Sequence, residues 1–283
     1  IFMKKAELYN DCNNHLGEGP LWSKEQETLY WLDLPMPSKL FKLHLPTNTL
    51  ETFDMPEMIS ALSVRPNGDM LIASHKGINN FNFKEKKLNK ILDLEPDKPQ
   101  NRCNDGAADS KGRFWVGTMQ NNVTPQATDI EIVESSGSLY CINQDLSFSK
   151  LEDNIGISNT VVWSPDSKKF YFTDTLTGII NSYDCNIEQG SISNKTFFAK
   201  HERGFPDGAT VDSDGCLWSC RFGGSCVVRF DPNGKVDDII ELPVENITSC
   251  TFGGSDLKTL FITTARWGMS EEQIKQKPQS GGL

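Results

Sequence analysis

The sequence predicts an all-β fold, a six-bladed β-propeller, on three observations. Tight-turn signals recur along the 283 residues, each followed by a short run rich in aromatic and β-branched residues. Aligning the chain on those turns yields six units whose starts are separated by 42, 44, 55, 48 and 41 residues. Helical periodicity is almost absent. Units of this length with several short strands are the signature of propeller blades, and no linker marks a second domain, so residues 1–283 read as one domain.

The turns are Pro66-Asn67-Gly68, Ser110-Lys111-Gly112, Pro165-Asp166-Ser167 and Ser213-Asp214-Gly215. The strands that accompany them are predicted at 28–32, 70–73, 113–116, 169–173, 216–220 and 259–263. Outer strands are visible at 39–44 with 49–53, and at 226–230 with 236–241, the latter pair joined by Pro232-Asn233-Gly234. Only 270–277 has the makings of a turn or two of helix. The sixth unit shows no outer strands before Leu283, so Ala6 to Tyr9 is the candidate strand that closes the last blade.

The units begin at Glu18, Ser60, Asn104, Asn159, Asp207 and Thr248, and run fifteen residues without a gap to Asp33, His75, Met119, Asp174, Phe222 and Thr263. Equivalent positions of a propeller form a ring about its channel. The unit starts are expected just before the innermost strands, around one mouth. All six carry an oxygen, two as carboxylates and two as carboxamides. A hard cation takes such ligands, and Ca²⁺ tolerates six to eight of them in loose geometry. The competing account is that blade starts are turns, which favour Asn, Asp and Ser in any case. Glu18, within Gly17-Glu18-Gly19-Pro20, does not fit that account. Asp33, His75 and Asp174 return toward the same mouth, either to orient the ring or as ordinary polar strand ends.

Composition narrows the partners. Lys plus Arg number 28 and Asp plus Glu 38, for a net charge of −10, which argues against a nucleic-acid backbone. No apolar run approaches the roughly 18 residues of a membrane span, and Ile1-Phe2-Met3-Lys4-Lys5 does not read as a signal peptide. The eight cysteines sit mostly in apolar runs, as in Leu139-Tyr140-Cys141-Ile142, and read as free thiols of a cytoplasmic protein. Cys216, Cys220 and Cys226 lack zinc-site spacing, and His15, His44, His75 and His201 share no catalytic spacing. There is no nucleophile elbow and no P-loop. Nothing in the sequence names a protein partner.

The motifs resemble those of the SMP-30/gluconolactonase/regucalcin family. They are Gly17-Glu18-Gly19-Pro20 with Leu29 to Asp33, Arg102-Cys103-Asn104-Asp105-Gly106 with Gly112 to Met119, and Gly137-Ser138-Leu139-Tyr140. Ser158-Asn159 with Tyr171 to Thr175, Pro206-Asp207-Gly208, and Thr248-Ser249 with Phe252-Gly253-Gly254 and Thr263 to Ala265 complete the set. The resemblance spans nearly the whole chain. It implies a six-bladed propeller holding one divalent cation, Ca²⁺ first and Zn²⁺, Mg²⁺ or Mn²⁺ as alternatives, on Glu18, Asn159 and Asp207. It implies Arg102 and Asn104 as substrate-binding residues, Asp105 as a support for their loop, and Asp207 as the catalytic base. The implied activity is hydrolysis of a small sugar lactone. Either Asp207 takes the proton of the attacking water or the cation acidifies that water directly. Vertebrate-type members are acidic after Gly-Thr-Met, whereas this chain has Gln120-Asn121-Asn122, so its rim is less negative and its substrate preference need not match. Two other functions stay open: arylester or phosphotriester hydrolysis at the same cation, and a non-enzymatic calcium-binding propeller.

Overall fold

Short alternating segments separated by turns give strands too brief to build one large sheet, and they pair locally. The computed structural model describes residues 5–283. Ile1 to Lys4, which include most of the stretch read for a signal peptide, lie outside the described residues. Five successive repeats form four-stranded antiparallel sheets, each a plain up-and-down meander. The first is β1 (Gly17–Ser23), β2 (Thr28–Asp33), β3 (Lys39–His44) and β4 (Thr49–Asp54). The second is β5 (Ile59–Val64), β6 (Met70–Ser74), β7 (Gly77–Asn82) and β8 (Lys87–Asp93). The third is β9 (Asn101–Ala108), β10 (Phe114–Gln120), β11 (Gly137–Ile142) and β12 (Phe148–Ile155). The fourth is β13 (Ser158–Trp163), β14 (Lys169–Asp174), β15 (Ile179–Asn186) and β16 (Ser191–Lys200). The fifth is β17 (Phe205–Val211), β18 (Leu217–Phe222), β19 (Cys226–Phe230) and β20 (Val236–Glu241).

The expectation of six blades is corrected by the sixth repeat. It contributes only β21 (Asn246–Gly253) and β22 (Thr259–Ala265), a two-stranded sheet, so the protein is an all-β propeller of five blades. The chemistry of the tail accounts for this. After Ala265 the chain turns at Arg266 to Met269 and enters α1 (Glu271–Gln276), which is capped by Ser270 in a reciprocal pair with Gln273. No alternating apolar run lies between Ala265 and Leu283. Ala6 to Tyr9, expected to close the last blade, lies in no strand. The ends meet through Tyr9 N and Leu283 O (2.7 Å), Leu283 N and Asn10 O (2.9 Å), and Asn14 N and Gly281 O (2.7 Å).

The innermost strands nevertheless close a circle: β1 neighbours β5, then β9, β13, β17 and β21, and β21 returns to β1. The core is therefore distributed between neighbouring sheets. Tyr30, Leu32 and Phe53 pack with Met70, Ile72 and Phe81; Trp115 and Leu139 with Phe170 and Phe172; Tyr171 and Ile180 with Leu217 and Val228. Each such layer removes several large side chains from water, at about 1.5–3 kcal/mol apiece before entropy is counted. The predicted tight turns form as read. Gly68, Gly112 and Gly215 take φ of 86°, 79° and 81°, and Ser167 takes the left-handed φ of 57° in the fourth unit. All eight cysteines are free thiols, and six of them are buried. Among the described residues no helix is long and apolar enough to cross a membrane.

Candidate functional site

The ring residues do not precede their strands; they lie inside them. Each innermost strand carries a β-bulge at or beside its ring position. The ladder slips between Glu18 and Leu21, Ile59 and Ala61, Cys103 and Gly106, Asn159 and Val162, Pro206 and Ala209, and Ile247 and Ser249. A bulge leaves a residue unpaired and re-aims its side chain. Ser60, Asn104, Asp207 and Thr248 fall within the slipped segments, and Glu18 and Asn159 are the last paired residues before them. The ring therefore sits in the channel, where Ser60, Asn159, Asp207 and Thr248 are buried.

Three of the five sequence-predicted site residues, Arg102, Asn104 and Asn159, are joined by one network that ends on the carbonyl preceding Asp207. Arg102 Nη1 donates to Asn104 Oδ1 (2.8 Å), and Asn104 Nδ2 donates to Ser158 O (2.8 Å) and Asn159 Oδ1 (3.3 Å). Asn159 Nδ2 donates in turn to Thr175 Oγ1 (2.8 Å), whose hydroxyl donates to Pro206 O (2.8 Å). Thr160 Oγ1 donates to Asp207 O (2.6 Å). Thr160 is fully buried and holds a φ of 60°, an unusual conformation for a β-branched residue. Its amide and that of Val161 also bond the Asp105 carboxylate, as does Gly106 N at 2.8 Å. Asp105 is thus turned toward backbone amides and braces the loop, while burial still lifts its carboxyl to about 6.

Glu18 and Asp207 bring their carboxyls within hydrogen-bonding reach of each other. Burial, then the charges of Asp207 and Asp105, hold Glu18 well above the usual carboxylate range. Burial, then the charge of Asp105, does the same to Asp207. Arg102, 3 % exposed, feels the charges of both carboxylates, and burial pulls its guanidinium down to about 10; the buried Arg221 feels that of Asp207. Arg102 Nη1 also donates to Cys103 O and its Nη2 to Asn122 Oδ1 (2.9 Å), while its buried Nε has no partner. Two facing carboxylates, with the Arg102 and Arg221 guanidinium groups already committed to carbonyl oxygens, form a site short of free positive charge.

That shortage tests the fit of a cation. Among the described residues no three His, Cys, Asp or Glu side chains converge as a metal cluster. The ring instead offers Glu18 and Asp207 with the Asn159 carboxamide oxygen. This mixed oxygen set suits a hard cation and lacks the nitrogen and sulfur that zinc prefers.

Asp33 and Asp174 do not reach the ring; they hold the segments that lead into it. Asp33 accepts the amides of His15 (3.0 Å) and Leu16 (2.9 Å), just before Glu18. Asp174 accepts those of Gly156 (2.9 Å) and Ile157 (3.0 Å), just before Asn159. His75 is held down near 4 by burial and by the charges of Lys76 and Arg102. It lines a cavity of about 690 Å³ with Lys76, Gln100, Gln120, Ile130 and Val133. Of the three residues that replace an acidic rim, only Asn122 touches Arg102. Gln120 instead pins the following loop through Glu131 O, Val133 N and Glu134 N. A second cavity, about 360 Å³, lies along β22 and the chain ends and contains no ring residue. Sequence reasoning missed Thr160 altogether; it included Asn122 in the rim and Thr175 in a motif without assigning either a bond in the network.

Regucalcin of Xenopus laevis is 32% identical over 271 residues, covering 95% of this chain and 89% of that protein. Regucalcin of Homo sapiens is 31% identical over 282 residues, 99% of this chain and 93% of that one. Among solved structures, a calcium-binding protein, regucalcin, from Agrobacterium tumefaciens superposes with a TM-score of 0.89 at 28% identity, covering 97% of this chain and 90% of that one. A luciferin-regenerating enzyme superposes at 0.86 and 27%, covering 98% and 92%. A Xanthomonas campestris gluconolactonase shares the fold at 0.76 and 24%, covering 90% and 85%. The family model described as SMP-30/Gluconolactonase/LRE-like region matches residues 16–266, and the chain belongs to that family.

Proposed function

We propose that the ring is a divalent-cation centre, Ca²⁺ first, at which the protein hydrolyses a small sugar lactone. The observation that carries this reading is the pair of facing carboxylates, half-buried Glu18 and buried Asp207, set beside the Asn159–Asn104–Arg102 network. Glu18, Asn159 and Asp207 are the residues that would hold the cation. When bound, it polarises the lactone carbonyl and stabilises the charge that develops on its oxygen.

The protein's own groups supply the rest. Arg102 and Asn104, fixed to each other and to Ser158 O, are the residues that would hold the substrate's oxygens. Asp207 takes a proton from water as its oxygen bonds to the carbonyl carbon. The ring C–O bond then breaks, and the proton passes to the departing alkoxide, giving the open hydroxy acid. The walls favour a polyol over an apolar ester, because every ring position carries an oxygen. The experiment is a substrate panel of aldonolactones, aryl esters and phosphotriesters with cation-loaded protein. Turnover confined to lactones supports the reading; turnover confined to aryl esters or phosphotriesters replaces the substrate class; turnover of none removes the enzymatic reading.

A further inference from the structure

A carboxamide offers a cation an oxygen from one end and repels it from the other, so a ligand asparagine must be held one way round. Asn159 is 4 % exposed and sits at the bulge of β13. We propose that Thr175 is the positioning residue that fixes the Asn159 carboxamide with its oxygen toward the cation centre. The proposal rests on the cation-centre reading given above.

The argument is one of proton direction. Thr175 has a single hydroxyl proton, and it lies on Pro206 O at 2.8 Å. The same oxygen can then only accept from Asn159, which it does from Nδ2 at 2.8 Å. With the NH₂ committed to Thr175, Oδ1 faces the opposite side, where it accepts from Asn104 Nδ2 at 3.3 Å. The flipped amide would set its NH₂ against the Asn104 NH₂ and would draw the Thr175 proton away from Pro206 O. Thr175 is itself held: it opens a 3-10 turn, Thr175–Thr177, whose N-cap is Asp174, and it is 9 % exposed. Pro206 immediately precedes Asp207, so one hydroxyl links the ligands of two neighbouring blades.

The test is Ca²⁺ affinity, measured by titration calorimetry on chelator-stripped protein, with thermal unfolding run alongside. Thr175→Val keeps the shape and removes the hydroxyl; it is expected to weaken Ca²⁺ binding about 10–100-fold, the usual effect of losing a group that orients a ligand. Thr175→Ser keeps the hydroxyl and is expected to bind within about threefold of the parent, by the same reasoning. In an Asn159→Asp background both ends of the ligand are oxygen, so Thr175→Val is expected to cost less than about threefold there. Should Thr175→Val fail to fold, Thr175→Ala takes its place in the same cycle. A parent protein that binds no divalent cation overturns the cation-centre reading. A parent that binds, with Thr175→Val binding equally well, overturns the role of Thr175 alone. An equal loss in the parent and in the Asn159→Asp background also overturns it, since a purely structural hydroxyl would not care which ligand stands opposite.

Discussion

Glu18→Gln should make the cation-free protein more stable while removing its response to cation. Glu18 and Asp207 face each other, desolvated, and Arg102 is a compensating charge that acts on both. An uncompensated buried charge costs about 3–5 kcal/mol. Arg102 offsets part of that, so neutralising one carboxylate should recover about 1–3 kcal/mol. For a chain of this length that is a rise in Tm of about 2–6 °C. The sign with pH follows from the raised carboxyls. The folded chain binds these protons more tightly than the unfolded chain, so their stabilising contribution is complete below about pH 4 and is lost as pH rises through the folded values. The variant should flatten that decline. Ca²⁺ at a hundred times its Kd should add about 2.7 kcal/mol to the parent, near 5 °C, and much less to Glu18→Gln. Thermal unfolding at several pH values, in chelator and in Ca²⁺, reads all three effects. A variant that melts lower in chelator yet still gains with Ca²⁺ would show that Glu18 is a structural partner of Arg102, and the electrostatic reasoning would fail.

His75 is held near 4, below the ordinary histidine value, so the unfolded chain takes a proton that the folded chain refuses between about pH 6.5 and 4. Stability from this source is present above pH 6.5 and is lost on acidification; His75→Gln should lose less Tm than the parent between pH 7 and 4.5. Gly208 follows Asp207 and packs against β21, where an added Cβ would meet Ser249 Oγ at 2.1 Å and Ser249 Cα at 2.9 Å. Gly208→Ala should therefore cost about 1–3 kcal/mol, read as a lower urea midpoint, and should weaken Ca²⁺ binding as Asp207 moves with its strand.

The fold was legible where the chain repeats without gaps. Predicted strands at 28–32, 169–173 and 259–263 are β2, β14 and β22, each one or two residues longer than read. The helix expected within 270–277 is α1 between its caps. Extrapolating the repeat beyond β22 failed, because the sixth unit has the inner-strand pattern and none of the alternating outer segments, and its tail hydrogen-bonds to residues 9–14 instead. The site was legible as a ring, since equal repeat position brings Glu18, Asn104, Asn159 and Asp207 together whatever their neighbours. Three things were not legible. Bulges draw the ring residues inside their strands, and a slipped ladder leaves no mark in residue type. Asp33 and Asp174 act through backbone amides one segment away. Thr175 works through the direction of one proton, which only the surrounding partners determine.

The central claim is tested most directly by following gluconolactone opening with protein stripped of metal, then resupplied with Ca²⁺, Mg²⁺, Mn²⁺ or Zn²⁺, with Asp207→Ala run in parallel. The account predicts turnover above the spontaneous rate that vanishes on stripping, returns with cation, and falls at least about 100-fold in the variant, the lower range for losing a general base. Turnover that survives stripping, or an Asp207→Ala protein as active as its parent, would contradict it.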